Sequence, residues 1–153
     1  MLLNLYEPIH GIHAFMTDTQ FASLVNQHPA HQQLTICLDI VQDALDDLKA
    51  KNITVLDVAD MTEVMERIVI AEGTSTRHLK AVADHVAMKA KQAGFNPIGV
   101  EGQGTSDWTL IDLGAVVVHV MMPQARTFYD LEGLWQGQSQ SIAARADRKN
   151  GVV

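Results

Sequence analysis

The sequence predicts an α/β domain, a mixed sheet of about five strands with helices flanking it, and two observations carry that expectation. Apolar residues recur at helical spacing in two stretches, Leu34 to Leu48 and Leu79 to Ala90, while short β-branched runs occupy the ground between and after them. The order of these segments matters as much: strand, helix and strand follow one another from Glu66 to Gly102, the pattern of a βαβ unit, and a glycine-centred hairpin comes next.

The elements follow in turn. Residues 1–33 show no clean period and read as a poorly ordered extension, in which Met16 heads a plausible alternative start. Leu34, Leu38, Val41, Leu45 and Leu48 mark one face of an amphipathic helix ending near Asn52, with acidic residues between them. The runs ITVLDV (Ile53 to Val58) and ERIVIAE (Glu66 to Glu72) read as the first two strands, joined by a polar ADMTEV connector. Leu79, Val82, Ala83, Val86 and Ala90 share the face of a second helix, for which Gly94 is a natural stop with Pro97 beyond it. PIGVEG (Pro97 to Gly102) is the third strand, and DWTLIDL and AVVVHVMM pair as an antiparallel hairpin about Gly114. ARTFYDLEGLW closes the domain as a short amphipathic helix, so the domain spans 34–135 and the polar residues 136–153 form a disordered tail.

Composition limits the function classes. At 153 residues with 47% hydrophobic content the chain can bury one real core. No window is apolar for the length a membrane span needs, and no Lys or Arg precedes Lys49, so a secretory leader is not expected and a cytoplasmic location is. The single cysteine, Cys37, excludes an internal disulfide and any CxxC motif, and its helical context makes it a packing residue. Net charge is −7, and Glu7, Asp18, Asp39, Asp43, Asp46 and Asp47 all precede the first lysine. Such a surface repels a phosphate backbone, which argues against direct nucleic-acid binding as the main mode and for a basic protein partner. The DALDD run taken alone is a solvated helix face.

Chemistry-bearing motifs are sparse. His10 and His13, and His28 and His31, have H-x-x-H spacing, but no acidic or cysteine ligand is patterned with them, so no metal site is assigned. The turn GTSTRH, Gly73 to His78, joins a strand to a helix; it has the free amides that attract anions and also the hydroxyls that cap helices. It is neither a Walker loop nor a dinucleotide fingerprint. Nucleotidyltransferases pair such a turn with two carboxylates on the next strand that hold Mg²⁺. Here that strand offers only Glu101, with Asp107 and Asp112 at opposite ends of the following one. The arrangement is a nucleotidyltransferase-like scaffold without the catalytic carboxylate pair, and no cofactor is expected. His78, His85 and His119 read as packed or hydrogen-bonded histidines.

VLDV (Val55 to Val58), GTSTRH, ADHV (Ala83 to Val86), GVEG (Gly99 to Gly102), Asp107-Trp108, LIDLG, VVVHV (Val116 to Val120) and FYDLEGLW (Phe128 to Trp135) together resemble the ribosomal silencing factor family, RsfS/Iojap. The resemblance implies a non-enzymatic protein that binds the large ribosomal subunit through ribosomal protein L-fourteen. Lying on the face that joins the small subunit, it would block joining and repress translation when nutrients are scarce. It also implies a fold like the nucleotidyltransferase scaffold without its catalysis. Two positions depart from the pattern: Ala115 stands where an acidic residue is usual, which would weaken a turn or a charged contact, and Glu72 stands where a small or polar residue is common.

Strand alternation points to the surface involved. Trp108, Leu110 and Asp112 fall on one face and Thr109 and Ile111 on the other, while Val116, Val118 and Val120 oppose Val117, His119 and Met121. Both faces are apolar enough to need a cover, by the chain's own helices or by a partner. Trp108, with Leu110, Met121, Met122 and Pro123, is the expected apolar anchor. Glu101, Asp107 and Asp112 are the expected acidic rim. Other classes are a nucleotide-binding enzyme using GTSTRH and a homodimer formed through the hairpin.

Overall fold

The computed structural model describes residues 16–27, 29–102 and 106–137. In chain order these form α1 (Asp18–Asn26), α2 (Ala30–Asp47), β1 (Lys51–Asp57), β2 (Arg67–Glu72), α3 (Thr76–Gln92), β3 (Gly99–Glu101), β4 (Trp108–Asp112), β5 (Val116–Met121) and α4 (Pro123–Tyr129). A last helical segment, α5, covers 131–137. Among the described residues no helix is long and apolar enough to cross a membrane.

The expected mixed five-stranded sheet is present, in the order β1-β2-β5-β4-β3. Only β2 and β5 pair in parallel; the other neighbours are antiparallel. β2, α3 and β3 do form a βαβ succession, but the hairpin of β4 and β5 fills the space between the two strands, so α3 carries the chain to the far edge. One face of the sheet presents Val69, Ala71, Ile111, Val116, Val118 and Val120 to α2 and α3. Those helices answer with Val41, Ala44, Leu45, Leu79, Val82, Ala83 and Val86, all buried. At roughly 1.5–3 kcal/mol for each large aliphatic side chain removed from water, this layer supplies most of the driving force.

Three expectations are corrected. Helix α2 stops at Asp47 instead of running to Asn52, and Lys51 already belongs to a strand. Lys49 adopts a left-handed φ of 57°. That lets the Ala50 amide return to the Leu45 carbonyl at 2.9 Å, a closing bond that outweighs the good helix formers in this stretch. Second, residues 18–26 are helical where a poorly ordered extension was expected, and α2 begins at Ala30, ahead of Leu34. Thr17 and Gln20 cap α1 reciprocally: the Gln20 amide donates to Thr17 Oγ1 at 3.3 Å and the Thr17 amide to Gln20 Oε1 at 3.0 Å. Phe21, only 3% exposed, then packs with Ile36 and Ala93. Residues 1–15 lie outside the described residues.

Third, ARTFYDLEGLW is two helices. Pro123 opens α4, where its fixed φ suits the first turn, and Asp130 with φ 45° breaks the chain after Tyr129. Its carboxylate then accepts from the Gly133 amide at 3.1 Å, so the residue that ends one helix starts the next. The helical residues 136–137 also extend past the expected domain end, and the rest of the expected tail, from 138, lies outside the described residues.

Candidate protein-docking surface

Among the described residues, the second face of the sheet is covered over only part of its width. Ala125, Leu131 and Trp135 from the two C-terminal helices pack on Val58, Ile68, Ile70 and Met121, closing the part built from β1, β2 and β5. Over β3 and β4 the same face carries Glu101, Trp108, Leu110 and Asp112, as the register shows: Glu101 faces Leu110, Leu110 faces His119, and Trp108 faces Met121. Glu101 is exposed, and Trp108, Leu110 and Asp112 remain partly so.

The hairpin that holds these side chains is fixed by its turn. Asp112 Oδ1 accepts from the Gly114 amide at 2.8 Å and the Leu113 amide donates to the Val116 carbonyl at 2.9 Å. Gly114 has φ 85°, a value that favours glycine at this corner. Ala115, where the resemblance leads one to expect an acidic residue, serves through its backbone: its carbonyl accepts from the amides of Glu66 and Arg67 at 2.8 and 3.0 Å. The turn therefore stands without an acidic side chain at this position.

Trp108 is held from two sides. Its indole Nε1–H donates to His119 Nδ1 at 3.0 Å. Burial pushes the His119 pKa down to about 4, so the ring is neutral at physiological pH; since Nδ1 accepts, the proton resides on Nε2. From α4, the Tyr129 ring lies 4.8 Å from the Trp108 ring, tilted by 48°, and Phe128 meets Tyr129 edge-on at 5.0 Å. Phe128 is 81% exposed and Tyr129 51%. An aromatic group is thus presented to solvent beside the uncovered strands, an arrangement enriched at protein interfaces.

The expected contact set divides. Trp108, Leu110, Glu101 and Asp112 share one face. Asp107 is exposed just before β4, where its carbonyl accepts from the Met122 amide at 2.8 Å, and Pro123 is exposed at the start of α4. Met121 is fully buried beneath α4 and α5, and Met122 turns to the helix-covered side to pack against that core, so these two are not surface anchors. Alternation turns Met122 away, because adjacent residues leave a strand on opposite faces, whereas Met121 shares the face of Trp108 and is excluded by the helices that cover it. Phe128 and Tyr129, which the structure adds to this surface, were not expected there; the signal was the FYDL stretch, two neighbouring aromatics that no single helix face can bury together.

GTSTRH is a helix cap. Ser75 Oγ accepts from the His78 amide at 3.0 Å. The His78 ring accepts the Thr74 amide on Nδ1 at 2.9 Å, which leaves Nε2–H to donate to the Leu48 carbonyl at 2.6 Å. His85 contacts Asp47 at 2.9 Å. Among the described residues no group of three or more His, Cys, Asp or Glu is placed to hold a metal ion, and His10, His13 and His28 lie outside them.

Comparison with known proteins decides the family. A family model described as "Ribosomal silencing factor during starvation" matches residues 30–151. The chain belongs to the ribosomal silencing factor family. The ribosomal silencing factor RsfS of Chromobacterium violaceum is 45% identical over 111 residues, covering 72% of this chain and 91% of that one. A mouse protein named "Mitochondrial assembly of ribosomal large subunit protein 1" is 34% identical over 101 residues, 64% of this chain and 44% of that one. A crystal structure of a Chromobacterium violaceum protein superposes with a TM-score of 0.65 at 41% identity, covering 67% of this chain and 85% of that one. Ribosomal silencing factors are regulators of translation. Of the elements described, α1 alone lies wholly outside the matched residues, and the match continues well past Trp135.

Proposed function

We propose that this chain silences ribosomes by binding the large subunit through ribosomal protein L-fourteen, on the face that meets the small subunit. Its bulk there blocks subunit joining and represses translation under nutrient limitation, in the cytoplasm and without a cofactor. The observation that carries this reading is the uncovered strand pair with a preformed aromatic group at its edge: Trp108 held by His119 and flanked by Tyr129, with Leu110 beside it. Pro123 borders the apolar surface, while Glu101, Asp107 and Asp112 give it an acidic rim. That composition suits a basic protein partner, where rim charges act mainly on the rate of encounter. Repression by occupancy requires no reacting group, only an affinity that keeps the face filled.

The test is a sucrose gradient of purified large and small subunits under associating magnesium, with the wild-type protein or its Trp108→Ala variant. Wild type is expected to travel with large subunits and to deplete joined ribosomes. The variant, which truncates an interface tryptophan worth about 2 kcal/mol or more, is expected to bind some 30-fold less tightly and to leave joining intact. Undiminished joining in the presence of excess wild type would sink the proposal.

A further inference from the structure

Arg126 lies one turn before Tyr129 on α4, and its side chain is only 12% exposed. Its guanidinium joins that helix to three other elements. Nε and Nη2 donate to Glu132 Oε1 of α5 at 2.9 and 2.6 Å. Nη1 donates to Glu72 Oε1 at the end of β2 at 3.2 Å and to the Asn52 carbonyl of β1 at 2.5 Å. Nη2 also donates to Thr54 Oγ1 at 3.0 Å. Asn52 is shaped for this: the β1–β2 register shifts between Lys51 and Thr54, and Asn52 takes φ 52°. Its side-chain amide meanwhile donates to Glu72 Oε2 at 2.9 Å. Glu72 is thus satisfied from both sides.

We propose that Arg126 is a positioning residue for docking. With Glu72 and Glu132 it clamps α4 and α5 to the sheet, so that Tyr129 already rests on Trp108 before a partner arrives; this rests on the reading of Trp108 as the docking anchor. A helix of seven residues cannot hold itself in water, so the placement of its aromatic end depends on what pins it. The planar fork of arginine reaches several acceptors at fixed angles, whereas a lysine ammonium is a point charge that cannot satisfy them together. Two carboxylates brought to one guanidinium also repel each other once it is gone, which would loosen α5 as well as α4. A partner meeting the loosened surface must order it on binding, and affinity falls accordingly.

The test uses full-length protein carrying Trp135→Phe, so that Trp108 is the one remaining tryptophan. Arg126 is then compared with Arg126→Lys and, separately, Glu72→Gln. Three readings are taken: the Trp108–Tyr129 ring-to-ring nuclear Overhauser effect, iodide quenching of Trp108 emission, and co-sedimentation with large subunits. Arg126→Lys is expected to lose the ring contact, to raise quenching, and to weaken binding by about tenfold from lost preorganisation while keeping cooperative thermal unfolding. Glu72→Gln, which retains the pair with Glu132, is expected to move each reading in the same direction but less. Retention of the ring contact in Arg126→Lys would overturn the proposal, as would a lost contact with unchanged affinity. Should Arg126→Lys fail to fold, Glu72→Gln decides by the same readings. If the parent protein itself does not bind large subunits, the docking reading falls, and the ring contact still reports whether Arg126 sets the position of Tyr129.

Discussion

His119 is a base kept neutral by its surroundings, and that has a consequence for acid stability. Its pKa is lowered from 6.5 to about 4, so between those values the unfolded chain takes up a proton that the native state refuses. Stability attached to this residue is complete above pH 6.5 and declines as pH falls toward 4, by about 3–4 kcal/mol at most on roughly 1.4 kcal/mol per unit. Urea unfolding of the wild type and of His119→Gln at pH 7, 5.5 and 4.5 should show a steeper loss in the wild type; parallel curves would refute it. Gly73 supplies a second residue-scale test. A Cβ there would lie 2.4 Å from Cδ2 of the buried Leu79, so Gly73→Ala is expected to cost about 1–3 kcal/mol in the same measurement.

Among the elements, α1 is the one that lies wholly outside the family match, and its attachment rests on Phe21 against Ile36 and Ala93, with Gly94 close beneath Ala22. Phe21→Ala removes an aromatic whose truncation usually costs about 3–5 kcal/mol. The expected outcome is local: hydrogen exchange of the α1 amides rises to the unprotected rate while the β2 and β5 amides keep theirs. Loss of protection in the sheet would show that α1 is integral to the fold. The same helix shows why part of the structure was hard to read. Its Thr17-x-x-Gln20 box was present in the sequence, but nine residues without a long apolar stripe give little periodicity. Long amphipathic stretches such as Leu79 to Ala90 and the alternation of β4 and β5 were legible because burial repeats along them. The break at Asp130 was not, since a left-handed aspartate depends on the cap it makes to Gly133 and leaves no periodic trace.

At the scale of the whole molecule, the chain carries a net charge of −7 and presents Glu101, Asp107 and Asp112 around the uncovered strands. If that field guides encounter with a basic partner, association with large subunits should slow several-fold as monovalent salt rises from low to roughly 0.5 M, while dissociation changes less. Stopped-flow rates at matched magnesium would check this, and salt-independent association would remove electrostatics from the account. The face itself was legible from alternation, as Trp108, Leu110 and Asp112 show. Its depth was not: whether Met121 lay open or buried depended on α4 and α5 folding back over it, a long-range event that strand period does not encode.

The parallel pairing of β2 with β5 brings Arg67 beside Val116 and Glu72 beside Met121. Such distant partners raise the contact order, and the sheet cannot close until the chain has supplied its central strand last of all. During synthesis, β1, β2 and α3 must therefore wait with their apolar faces open, and Trp108 acquires Tyr129 only after α4 has emerged. A partial chain that stops short of α4 therefore has no finished face to offer, because Tyr129 is not yet there to rest on Trp108.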